Sequence, residues 1–257
     1  MRNRLLLTIF GAIALALIAA AGALAHREAF RVGNLILEDN SGIFPDRLPR
    51  HRQAPISAVL RDWFSTTDGT HLPAFEHAVG NFDKHIHVNA KGLPVCKLSQ
   101  LVARSTAAAR RACSKAIVGS GDGEVEVAFP EQQPFSATGP ILLFNGGVHG
   151  GTTLLLVHAY VAVPAPTAVL VQVKISRVHL GRLGLHVSFR VPPIAGGYGS
   201  AKRFKVVLGR KFTYKGQKQS YLTASCPTGR YYTDSMVYFS GNMKIHVPHV
   251  FPCTPTD

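Results

Sequence analysis

Two long runs of β-branched and apolar residues, Thr152–Val163 and Thr167–Arg177, flank the short break Pro164-Ala-Pro166. Runs of this length split by a proline turn pair as adjacent antiparallel strands. This hairpin commits the chain to a sheet. In the first run both faces are apolar, so it must be covered on both sides. The second alternates: Val171, Val173 and Ile175 share one face, Gln172, Lys174 and Ser176 the other. One buried and one wet face mark an antiparallel sheet.

The same period of two recurs along the chain. Ile56–Phe64, Ala74–Val79, Lys84–Val88, Gly123–Phe129, Pro140–Phe144 and Leu185–Val191 read as strands, as do Lys202–Leu208, Lys211–Tyr214 and Ser220–Cys226. Tyr231–Phe239 and Lys244–Phe251 form a last hairpin around Ser240-Gly-Asn-Met243. Gly119-Ser-Gly-Asp-Gly123 and His149-Gly-Gly151 read as turns, because their glycines suit tight reversals. One helix stands out, the alanine-rich Thr106–Ser114, capped by Ser105 or Thr106. About twelve closely spaced strands with no βαβ rhythm predict an all-β antiparallel β-sandwich, with a β-barrel as the alternative.

The N-terminus carries an export signature. Arg2 and Arg4 precede the apolar stretch Leu5–Ala21, and Ala23-Leu-Ala25 forms a small-residue cleavage site. Residues 1–25 are therefore expected to be a signal peptide, with an uncleaved N-terminal anchoring helix as the alternative. Residues 26–53 read as an extended N-terminal arm, with Asn34–Leu37 docked on the domain, and residues 54–257 as a single β domain. Export places the four cysteines in an oxidising compartment, where an even count reads as disulfides. Four cysteines allow three connectivities. The local one, Cys96–Cys113 with Cys226–Cys253, is favoured. The first bond would pin a helix too short to stand alone, and Cys226 and Cys253 lie at nearly equal distances from the turn glycine Gly241.

Residues Gly92-Leu-Pro-Val-Cys96, Ala109-Arg-Arg-Ala-Cys113, Leu142-Leu-Phe-Asn-Gly146, Leu208-Gly-Arg-Lys-Phe212 and Ser220–Pro227 resemble an uncharacterised family of secreted bacterial proteins. The resemblance spans roughly Ala54 to Cys253. It implies an exported domain with two local disulfides and carries no activity.

Charge is uneven. The chain holds 28 Lys and Arg against 14 Asp and Glu. From Pro166 onward the only acidic residues are Asp234 and Asp257. Lys202, Arg203, Lys205, Arg210, Lys211, Lys215 and Lys218 crowd into one segment, with Phe204, Phe212, Tyr214 and Tyr221 between them. Such a field attracts anionic envelope polymers or a membrane surface. Export argues against nucleic acid as the natural partner. The plainer reading is a solvated face whose lysines also keep edge strands from aggregating.

Among candidates for chemistry, His85 and His87 share a strand face with Asp83, which suits two imidazoles on one metal ion. In a chain with 12 histidines such a pair also arises by chance, and no metal or cofactor is expected. No G-x-S-x-G elbow accompanies His149-Gly-Gly151, and no serine has a distinctive setting. The sequence thus points to a secreted, monomeric, non-enzymatic binding or structural module of the cell envelope or extracellular space. A secreted hydrolase or metal-dependent enzyme is one alternative. A β-barrel carrier of an apolar ligand, suggested by the doubly apolar Leu154–Val163, is another.

Overall fold

A computed structural model describes residues 27–162 and 166–257. The signal peptide expected over residues 1–25 and the proline turn at 163–165 lie outside the described residues. The first half of the chain supplies β1 (Glu28–Val32), β2 (Leu35–Asp39), β3 (Gly42–Phe44), β4 (Arg47–Pro49), β5 (Ala54–Pro55), β6 (Ser57–Thr66), β7 (Phe75–Asp83) and β8 (Ile86–Val88). After helix α1 (Thr106–Cys113) come β9 (Ile117–Val127), β10 (Phe135–His149), β11 (Thr152–Val161), β12 (Thr167–Leu180) and β13 (Leu183–Arg190). The last third holds β14 (Gly199–Leu208), β15 (Lys211–Tyr214), β16 (Gln217–Ser220), β17 (Leu222–Ala224), β18 (Arg230–Phe239), β19 (Met243–Pro252) and β20 (Thr254–Thr256).

The all-β antiparallel fold expected from the sequence is present, as one continuous sheet nearly closed into a barrel. Its strand path runs β1-β2-β6-β14-β9-β10-β11-β12-β13-β7-β18-β19, with β3 added on β6. The hairpin of β11 and β12 sits inside this path, Val157 opposite Val171. Residues 27–49 do more than dock as an arm. β1 and β2 are barrel strands, and Leu35 and Leu37 are buried. Their apolar residues alternate at period two like those of any other strand, so the sheet accepts them in full.

Two apolar clusters fill the interior. One gathers Ile141, Leu155, Val171, Val173 and Leu185. The other is aromatic, with Phe64 packed 5.7 Å from Phe239 and 5.9 Å from Phe75 between ring centroids. At one end the chain leaves β6, β7, β18 and β19 for very short strands. These form the three-stranded sheet β5-β17-β8 and the parallel pair β20-β4. Leu48, Ile56, Ile86, Leu222 and Ala224 from this cap bury against the first cluster. Cys226–Cys253 ties the cap together, with Cα atoms 6.1 Å apart.

The double apolarity of β11 has its cause on the outside of the barrel. Leu155 belongs to the interior, while Leu156 joins Leu142 and Phe144 beneath Leu101 and Ala109. The covering layer is α1, whose N-cap is Ser105, accepting from the Ala108 amide. Cys96–Cys113, with Cα atoms 5.5 Å apart, pins it there. His158 is fully buried under the same layer, its Nε2 2.9 Å from the Arg104 carbonyl. Protein, not ligand, covers this strand.

Gly119–Gly123 is not a turn. It lies in the middle of β9, paired with both β10 and β14. The glycines are there for space, not for reversal. A Cβ on Gly121 would stand 1.9 Å from the Lys205 carbonyl oxygen.

Candidate functional site

The basic segment does not form one surface. Lys202 and Arg203 follow each other at a register shift in β14. Arg203 bonds Asp122 at 2.6 Å and Glu124 at 3.0 Å, and Lys202 reaches Glu124 at 3.3 Å. These cations hold the Glu124 carboxyl below its usual range against the opposing effect of burial. Arg210 turns inward and donates to the carbonyls of Lys115 and Ile117, both at 2.7 Å. Lys205 is exposed on the outer face of β14.

Lys211, Lys215 and Lys218 remain, all exposed on the hairpin of β15 and β16, with no carboxylate partner among the described residues. Lys211, Thr213 and Lys218 share its outward face, because Thr213 lies opposite Lys218 and Lys211 opposite Ser220. Lys215 occupies the left-handed tip position at φ 49°. The inward face seats the hairpin. Tyr214 lies so close over Gly92 that a Cβ there would meet its ring at 2.3 Å. Exposed Lys91 neighbours that glycine, and exposed Lys115 supplies the carbonyl that binds Arg210. Sequence distance hid this convergence of three segments.

His85 and His87 part company. Asp83 accepts from the His85 amide at 2.9 Å and lies 2.7 Å from its Nδ1. Its other oxygen accepts from the Tyr232 amide. His87 is held below the ordinary histidine range by burial first, then by Arg177 and His85. A cation beside an imidazole opposes metal binding there. Among the described residues no three His, Cys, Asp or Glu side chains are arranged to hold a metal ion.

One arrangement was invisible in the sequence. His71, from the loop between β6 and β7, lies with Nδ1 2.6 Å from Glu126 Oε1 and Nε2 3.4 Å from Ser200 Oγ. Ser200 and Glu126 are direct cross-strand partners on β14 and β9. The order serine, imidazole, carboxylate is that of a hydrolase, yet two features oppose that chemistry. The Ser200 hydroxyl donates to the Leu72 carbonyl at 2.6 Å, so it offers His71 only lone pairs. Burial also runs the wrong way: Ser200 is 1% exposed, while the His71 and Glu126 side chains are 32% and 21% exposed. A nucleophile needs the open position and its acid the closed one. With Leu72 also donating its amide to Glu126 at 3.3 Å, the row clamps the 67–74 loop onto the barrel. Ser200→Ala is expected to lower stability by about 1–2 kcal/mol, through an unsatisfied buried carbonyl, as read by urea unfolding. A fluorophosphonate probe is expected to leave Ser200 unlabelled, as read by mass spectrometry; a stoichiometric adduct would make it a nucleophile.

The described surface also holds a shallow, open depression of about 180 Å³ between Pro94, Val95 and the Ala112–Ala116 segment. It is smaller than the roughly 300–1,000 Å³ of ordinary ligand pockets. No helix among the described residues is long and apolar enough to cross a membrane. Comparison with known protein families, curated proteins and solved structures finds no match to this chain.

Proposed function

We propose that this is an exported, non-enzymatic β-barrel domain that binds an anionic polymer of the cell envelope through the β15–β16 hairpin. The observation that carries the reading is the set Lys211, Lys215 and Lys218. They are exposed and free of carboxylates on a hairpin seated by Tyr214 on Gly92. Fixed cations on a rigid edge attract polyanions without a shaped pocket. Two disulfides suit an oxidising compartment outside the cytoplasm. The clamp geometry at Ser200 removes the best placed nucleophile and weighs against the hydrolase alternative.

The test is binding of the full chain to polyphosphate, with neutral dextran as control, across a salt series. Affinity is expected to fall steeply with salt, because exposed charges are screened within about 10 Å at 0.1 M. The Lys211→Gln/Lys215→Gln/Lys218→Gln variant is expected to lose most of the binding and most of the salt dependence. Salt-independent binding, or a triple variant that binds like the parent, would overturn the reading. Binding to anionic vesicles but not to polyphosphate would do the same and move the partner to a membrane surface.

A further inference from the structure

The barrel has a seam. β1 and β19 end the strand path and lie side by side, but no strand ladder joins them among the described residues. Side chains bridge the gap instead. His249 of β19 is 2% exposed, with Nδ1 3.7 Å from Glu28 of β1 and 3.8 Å from Asp39 of β2. That nitrogen is buried and makes no hydrogen bond. The register puts Glu28 opposite Asp39, and Asp39 opposite Asp62 of β6. Directly opposed residues point to the same face, so three carboxylates stand in one row behind the histidine.

The remaining neighbours bring no countercharge. β14 places Phe204 opposite Asp62, and β18 places Thr233 opposite His249. Phe251 stacks on the imidazole at 4.1 Å. The Ser41 amide donates to Asp39. The nearest ionisable group further along β18 is Tyr231, which faces Asp83. Since the donors do not converge to hold a metal ion, protons are left to balance the row.

We propose that Glu28, Asp39, Asp62 and His249 form a proton-operated latch that holds the β1–β2 hairpin on the barrel in mildly acidic surroundings and loosens it as the pH rises. A proton on His249 Nδ1 lies between two carboxylates, and a proton on Asp62 removes one like charge from the row. Both act in the same direction. Burial, and then the Asp39 charge, hold the Asp62 carboxyl well above the usual carboxylate range. A carboxyl raised on folding takes up a proton as the chain folds. Its contribution is therefore complete at low pH and is lost as the pH climbs from the ordinary carboxylate value through the folded one.

The experiment is hydrogen exchange on the full chain at pH 5 and pH 8, corrected for intrinsic rates, comparing β1–β2 with the interior pair β10–β11. Protection of β1–β2 is expected to fall about tenfold more than that of β10–β11, the effect of roughly one unit of linked pKa. Asp62→Asn is expected to abolish most of that difference and to protect β1–β2 at pH 8; Asp39→Asn provides the same readout should Asp62→Asn fold poorly. A pH-independent seam in the parent chain, or an unchanged pH response in the variants, overturns the latch.

Discussion

Replacing both Cys226 and Cys253 by alanine is expected to lower the stability of the domain by about 3–4 kcal/mol, the loop-closure entropy for this separation. The two cysteines are 27 residues apart in sequence. The effect should be large because of what the bond supports. The cap strands are two or three residues long: Ala54–Pro55 in β5, Leu222–Ala224 in β17 and Thr254–Thr256 in β20. Strands so short have little stability of their own. They bury Leu222, Ala224 and the wholly enclosed Tyr221 against the main interior cluster. Burial pushes the Tyr221 hydroxyl well above its ordinary pKa, and the hydroxyl has no hydrogen-bond partner. A cap that opened would release this side chain, so its closure rests heavily on the covalent tie. Cys96–Cys113 encloses a shorter separation of 17 residues and should contribute somewhat less, about 3 kcal/mol. Urea unfolding of the two double variants, followed through Trp63, the single tryptophan, measures both. A Cys226/Cys253 variant as stable as the parent would mean that the cap holds without its bond.

The strands and both disulfides were legible because they follow from local pattern. Period-two burial marks β12 in sequence as plainly as in the structure, where Val171, Val173 and Ile175 are buried and Gln172 and Lys174 exposed. Equal distances from Gly241 put Cys226 opposite Cys253 because β18 and β19 pair without a shift from Arg230 to Phe239. Features that depend on distant segments were not legible. His71, Glu126 and Ser200 share no motif, and only the pairing of β9 with β14 brings Glu126 to Ser200. The carboxylate row at the seam is likewise a product of register, since Glu28, Asp39 and Asp62 are unremarkable in their own strands. The basic segment was seen but not its division. A register shift in β14 turns Lys202 and Arg203 onto the carboxylates of β9, and nothing local announces that shift.

The glycines of β9 misled for a related reason, and they carry the second large effect. Gly119, Gly121 and Gly123 alternate on one face of a strand paired on both sides. None of the three has the positive φ that would make glycine necessary for its backbone angles. What they provide is room. A Cβ on Gly121 would lie 1.9 Å from the Lys205 carbonyl oxygen and 2.7 Å from the Val206 Cα. One on Gly119 would lie 2.4 Å from the Val207 carbonyl oxygen. On β10, Gly139 stands opposite Gly123, and a Cβ there would meet the Tyr160 carbonyl oxygen at 2.0 Å. Neighbouring strands in an evenly twisted sheet keep opposed Cβ atoms roughly 4.5–5.5 Å apart. Backbone this close means that the sheet bends sharply across β14, β9, β10 and β11, as it must for twelve strands to return on themselves. The obstacles are main-chain atoms of adjacent strands, which cannot swing aside as a side chain can. Gly121→Ala is therefore expected to destabilise the domain by about 4 kcal/mol, at the severe end for a single substitution. Gly33→Ala is the control: Gly33 has φ 56° and open space around it, so the cost should be only about 1 kcal/mol, from backbone conformation alone. Urea unfolding of the two variants decides between space and conformation. If Gly121→Ala costs no more than Gly33→Ala, the bend at β9 does not require bare backbone, and closure of the barrel must have another cause.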